Sequence, residues 1–213
     1  MLFLLLYTIF LVMQWLGFAK IGVQVAMINT SIRKRGLLHC VKISKCKMLF
    51  FGVELSESVL GLDMSELNDV QFACQGGDPH IPAAVVVDGD IAAASTDSPS
   101  AAITKDIGMN DVFGYIYTSG TTGLPKAAII KHSKMVTFGA FVVHGCDLKV
   151  GDRNYCVLPL FHSAGGGLGV GMMIYGGVTI IIKRKVSRRH SHGRVIHRER
   201  VHSHFRPRDS ISI

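Results

Sequence analysis

"TSGTTGLPK", Thr118 to Lys126, packs three threonines, one serine, two glycines, a proline and a lysine into nine residues. Such a run builds no core. It sits between "VFGYIY", Val112 to Tyr117, an apolar and aromatic strand pattern bounded by Asp111, and "KAAIIKH", a second short strand pattern. A strand ending in glycines, hydroxyls and a nearby lysine is a device for holding phosphate. Glycines let backbone N–H groups approach the oxygens, hydroxyls add adjustable donors, and the ammonium supplies a point charge. The Walker pattern GxxxxGK[ST] does not fit. Lys126 follows Pro125, no Ser or Thr follows it, and the chain continues as a strand where a Walker loop enters a helix.

Outward from this run, the chain alternates. "IGVQVAMIN" reads as a strand. "TSIRKRGLLHCVKISK" reads as a helix capped by Thr30 or Ser31, with Leu37, Leu38 and Val41 as its apolar stripe. "KMLFFGV" reads as a buried strand. Downstream, "SKMVTFGAFVVHG" predicts a helix capped at Ser133. "YCVLPL", "SAGGGLGVGMMIYGG" and "VTIIIKRK" then predict a strand, a glycine-laced helix and a strand, one βαβ unit. Residues 88–111 are small, polar and aperiodic and are assigned to a loop. Residues 1–19, "MLFLLLYTIFLVMQWLGFA", read as one hydrophobic helix, either membrane-associated or buried in a core.

The 213 residues carry a formal net charge of +8. Residues 186–213 hold seven arginines and two acids, so most of the basic excess is a property of this tail, which is assigned as disordered. The global charge therefore argues for no specific nucleic-acid partner. The tail histidines His190, His192, His197, His202 and His204 lack carboxylate or cysteine partners at ligand spacing, and no metal site is assigned. Five cysteines without a CxxC pair fit reduced thiols better than a disulfide framework.

The longer run "YIYTSGTTGLPKAA", Tyr115 to Ala128, closely resembles the phosphate-binding signature of the acyl-adenylate-forming (AMP-binding) superfamily. "LPLFHSAGGGLGVG", Leu158 to Gly171, resembles the "LPLYHSAG" segment of the fatty acid transport protein group, the very long-chain acyl-CoA synthetases. "WLGFAKIGVQVAMINTSIRKRGLLHC", Trp15 to Cys40, is similar to the same group. The likeness covers most of residues 15–185 and is weakest over 60–111.

The resemblance implies an α/β fold: a partial N-terminal adenylate-forming domain over residues 1–185, with a mixed sheet and flanking helices. It implies fatty acid activation through an acyl-adenylate, with ATP, Mg2+ and coenzyme A. By the same likeness, Thr118, Ser119, Gly120, Thr121, Thr122, Gly123 and Lys126 hold the ATP phosphates, and Pro125 fixes the loop exit. His162 and Gly165 border the acyl and adenylate pocket, with the backbone-satisfied core histidine as the lesser reading of His162; Gly165 reads equally as a packing glycine. No catalytic residue is assigned. Membrane association, at the endoplasmic reticulum or peroxisome, is implied only by the group.

The family's later aromatic-Gly-x-Thr-Glu segment, its ribose-binding aspartate and its C-terminal lysine find no match in these residues. The chain alone is therefore expected to complete neither half-reaction. A membrane-associated nucleotide or fatty-acid binding fragment and a P-loop-type hydrolase stand as alternatives.

Overall fold

The computed structural model describes residues 1–4, 9–118, 125–182 and 201–202. They form two compact units, residues 1–134 and 135–213.

The first unit is built on a seven-stranded sheet. Its strands are β1 (Leu2–Leu4), β2 (Val25–Met27), β3 (Met48–Gly52), β4 (Gln71–Gln75), β5 (Ala84–Val86), β6 (Val112–Thr118) and β7 (Lys126–Lys131), in the order β5-β4-β3-β1-β2-β6-β7. Every pair is parallel except β6–β7. Parallel strands are covered on both faces, and their sequences accordingly run apolar without alternation. Val25, Ala26 and Met27 are all buried, as are Leu49 to Gly52. The edge strands differ: β5 and β7 are largely exposed.

Two helices cover the sheet: α1 (Ile9–Lys20) and α2 (Lys34–Ser44). Leu11, Val12, Trp15 and Ala19 of α1 are buried at helical spacing. Trp15 meets Phe113 edge to face, ring centres 5.0 Å apart. From α2, Leu37, Cys40 and Val41 enter a core shared with Leu49, Phe51, Val59 and Phe72. Burial pushes the Cys40 thiol up to about 11, which keeps it protonated.

Three sequence expectations are corrected in this unit. Residues 1–19 are not one helix: Leu2–Leu4 is a strand between β3 and β2, and the helix spans Ile9–Lys20. Helix α2 begins at Lys34, not after Thr30 or Ser31, because Asn29 Oδ1 accepts from Ser31 N and makes an Asx turn first. Residues 88–111 are not all loop. After the short helix α3 (Ser56–Leu60), this region contributes α4 (Asp88–Ala93) and α5 (Ala101–Thr104), short helices with no buried residue. No helix of the described residues is long and apolar enough to cross a membrane.

A bulge in β6 shapes the junction with β7. Val112 pairs with Lys131 and Gly114 with Ile130, so Phe113 is the extra residue. Phe113 also meets His132 edge to face at 5.1 Å. Burial lowers the His132 pKa below its ordinary 6.5, against the opposing pull of Asp111. The folded state therefore binds this proton less readily than the unfolded chain. Above pH 6.5 both states are neutral and the histidine adds no pH dependence; below it, protonation favours unfolding. The denaturation midpoint should drop between about pH 7.5 and about pH 5.5, and H132Q should drop less. Parallel slopes for the two proteins would refute this assignment.

The second unit contains the body of α6 (His132–Gly145), whose observed start lies one residue before the predicted cap. It also holds β8 (Arg153–Cys156), a π-helical segment (Ser163–Val170), α7 (Gly171–Gly176) and β9 (Thr179–Ile182). Strands β8 and β9 pair in parallel, as the βαβ reading requires. The first strand stops at Cys156, short of the predicted Leu160, since Pro159 has no N–H for a ladder. Val142, Val143, Leu148, Met172 and Val178 form the core of this unit. A Cβ on Gly139 would lie 2.2 Å from Gly171 O, so this pair allows backbone-to-backbone contact between α6 and α7. In the tail, only β10 (Val201–His202) is described, parallel to β8. The remainder of the predicted disordered tail lies outside the described residues.

Candidate functional site

Strands β6 and β7 are two arms of a hairpin, and the threonine-rich run is its tip. Thr118 and Lys126 are the last paired residues, so their Cα atoms face each other about 5 Å apart across the ladder. Thr118 Oγ1 donates a long 3.4 Å hydrogen bond to Lys126 O. Both residues are exposed. Among the described residues, the Lys126 ammonium forms no ion pair. Ser119, Gly120, Thr121, Thr122 and Gly123 lie outside the described residues. Among the described residues, the end of the ladder thus presents a hydroxyl and a cation without an ion-pair partner, flanking a glycine-rich run of sequence. That donor set fits a polyphosphate.

Helix α2 lies against the base of this hairpin. Tyr117 Oη donates to Cys40 O at 2.8 Å. His39 Nε2 lies 3.3 Å from Pro125 O; a carbonyl only accepts, so the imidazole donates. Burial, with the neighbouring Cys40 second, pushes the Tyr117 phenol upward, so it remains a donor throughout the neutral range. Sequence reading missed both contacts. They join residues 77 and 86 positions apart, and no local pattern signals them.

In the second unit, His162 is the N-cap of the π-helical segment. Its Nδ1 accepts from Ala164 N at 3.3 Å, which leaves the proton of the neutral ring on Nε2. The ring is exposed. Gly165 is buried, and a Cβ there would lie 2.2 Å from Pro159 O and 2.6 Å from Leu158 O. Its missing side chain therefore serves close packing of the helix on the preceding turn. The glycines that follow also permit the wider π geometry, in which backbone hydrogen bonds span five residues.

A mostly apolar cleft of about 1100 Å³ opens on the first unit, between β3, β4, β5 and α1. Phe18, Met48, Phe50, Phe72 and Ile81 supply much of its wall. Of the described site residues, Thr118, Lys126, His162 and Gly165 do not line it. Among the described residues, no group of three or more His, Cys, Asp or Glu side chains is arranged to hold a metal ion.

The sequence profile of the family described as "AMP-binding enzyme" matches residues 3–206. The chain belongs to that family. Long-chain fatty acid transport protein 1 of Rattus norvegicus is 38% identical over 176 residues, covering 81% of this chain and 27% of that protein. The very long-chain fatty acid transport protein of Cochliobolus heterostrophus is 29% identical over 175 residues, 82% of this chain and 26% of that protein. The chain thus spans about a quarter of the length of these relatives.

Solved structures share the family fold. A Mycobacterium tuberculosis fatty acyl CoA synthetase superposes with a TM-score of 0.73 at 21% identity, over 87% of this chain and 34% of that one. The ATP-bound MatB of Rhodopseudomonas palustris superposes with a TM-score of 0.70 at 18% identity, over 87% and 35%. The α/β fold read from the sequence, with a mixed sheet and flanking helices of an AMP-binding N-terminal domain, is therefore the observed one.

Proposed function

We propose that this chain is the phosphate-gripping part of a long-chain or very long-chain fatty acid–CoA ligase. The observation that carries the reading is the end of the β6–β7 ladder, where exposed Thr118 and Lys126, which has no ion pair among the described residues, face each other on either side of a glycine- and hydroxyl-rich run of sequence. Thr118, Ser119, Gly120, Thr121, Thr122, Gly123 and Lys126 hold the β- and γ-phosphates of ATP. A fatty carboxylate oxygen attacks the α-phosphorus, the bond from that phosphorus to the bridging oxygen breaks, and pyrophosphate leaves. The coenzyme A thiolate then attacks the acyl carbon and AMP departs with the electron pair. Lys126 and the hydroxyls stabilise charge that grows on the departing pyrophosphate. Mg2+, carried by the phosphates, would share that charge and needs few protein ligands.

His162 and Gly165 border the acyl and adenylate pocket in this reading, with the His162 Nε2–H available as a donor. The relatives named fatty acid transport proteins support a fatty acid substrate and, with it, association with a membrane surface; the endoplasmic reticulum or peroxisome follows only from the resemblance.

Calorimetric titration with ATP and magnesium tests the proposal. The wild-type 213-residue protein should bind ATP weakly, and K126A should weaken binding by about tenfold, the scale of a lost hydrogen bond to a charged group. A polypeptide of these residues alone should form no acyl-CoA from ATP, palmitate and coenzyme A. Equal ATP affinity in wild type and K126A would sink the phosphate assignment. Magnesium-dependent phosphate release without any fatty acid would favour a hydrolase instead.

A further inference from the structure

We propose that the cleft beside α1 binds a neutral long-chain amphiphile, an alkyl chain ending in an uncharged hydroxyl. The inference stands apart from the hairpin: the cleft lies within the first unit, and neither Thr118 nor Lys126 lines it. The strand ladder shapes its floor. Phe50 of β3 pairs with Ala73 of β4, and Ala73 pairs with Val85 of β5, so the three side chains form one row on a single face of the sheet. Ala73 offers only a methyl between a ring and a branched side chain, and the row dips there. Helix α1 reaches this row through Phe18, which meets Phe50 edge to face with ring centres 6.5 Å apart. Ile91 of α4 lines the same cleft. A floor with helical residues standing over it is a trough, and its volume of about 1100 Å³ lies just above the roughly 300–1,000 Å³ of ordinary small-ligand pockets.

The polar lining selects the head group. No Lys, Arg or His side chain lines the cleft, and its one charged side chain is the carboxylate of Asp90. The Met1 ammonium at its border donates to Gln24 O at 2.8 Å. A fatty carboxylate entering here would lose water, gain no side-chain cation and meet a like charge. Asn68, Gln71 and Asp90 are exposed and meet solvent. Gln14 differs. It lines the cleft and is partly buried, and its Nε2 donates to Gln75 Oε1 at 2.6 Å. Its Oε1 is buried with no hydrogen-bond partner among the described residues. A buried acceptor without a donor is costly. A hydroxyl supplies that donor and brings no charge with it.

The test uses the 213-residue protein and two ten-carbon probes, 1-decanol and decanoate, titrated calorimetrically at pH 7.5 below the concentrations at which they aggregate. The protein should bind one decanol, and decanoate about tenfold more weakly. A73L fills the floor and I91D charges the wall, and each should weaken decanol about tenfold. Ile91 is 48% exposed, so I91D spares the core and decides the matter if A73L fails to fold. Q14L removes the acceptor and should weaken decanol about fivefold, the scale of one hydrogen bond. D90K, at an exposed position, should narrow the gap between the two probes. An absence of saturable decanol binding would overturn the proposal. Decanoate bound as tightly as decanol would overturn it too, since the site would then not select a neutral head group. Decanol affinity unmoved by both I91D and Q14L would place the binding elsewhere. A dimer in sedimentation equilibrium that decanol dissociates would give the cleft to a second copy of the chain.

Discussion

Replacing Gly114 with alanine should destabilise the first unit by about 3 kcal/mol or more, enough to abolish cooperative folding in a domain of ordinary marginal stability. A Cβ at this position would lie 2.4 Å from Val25 O and 3.4 Å from Trp15 Nε1. The first distance is far inside van der Waals contact with a backbone atom, so no rotamer change relieves it. Val25 belongs to β2, which is hydrogen-bonded to β1 on one side and β6 on the other. Moving it away breaks the ladder at the centre of the sheet. Thermal melting and native-state hydrogen exchange should show loss of protection in β2 and β6 first. A G114A protein within about 1 kcal/mol of wild type would mean that the two strands approach less closely than described.

Truncation of Trp15 to alanine should cost about 3–5 kcal/mol, the usual range for a large aromatic removed from a core. Trp15 is 1% exposed, and it stacks edge to face on Phe113 beside the bulge. Its loss leaves a cavity where α1 meets β6, one arm of the β6–β7 hairpin. The indole Nε1–H is buried without a hydrogen-bond partner among the described residues. That orphan donor makes a second arm informative. W15F keeps a ring against Phe113 and removes the unsatisfied N–H, so it should cost about 1 kcal/mol, well under half the alanine effect. Chemical denaturation of both variants measures the difference. Equal losses for W15F and W15A would show that the ring volume is not what holds α1 down.

These two residues mark where sequence reading stops. Trp15 falls within a stretch whose helical spacing is legible, since Leu11, Val12, Trp15 and Ala19 recur at the period of a helix with one buried face. The strand ending at Thr118 was legible from its aromatic and β-branched residues. The run proposed to hold phosphate stands out by composition, because threonine, glycine, proline and lysine together serve no core. The first residues were not legible. An apolar triplet is too short to show a period, so Leu2–Leu4 looks the same as a strand or as the start of an apolar helix. The short helices α4 and α5 bury no side chain, so no periodic stripe announces them.

By itself, the order of residues determined the family and suggested the phosphate role proposed for the hairpin tip, because hydroxyls, glycines and an ammonium act locally and their spacing survives in one dimension. Only the folded chain decided that Leu2–Leu4 is an interior strand, that Gly114 must lack a Cβ, and that α2 grips the hairpin at Tyr117 and Pro125. Each of those facts is a contact between segments far apart in sequence. Such contacts are set by which surfaces bury each other, and no local pattern encodes that choice.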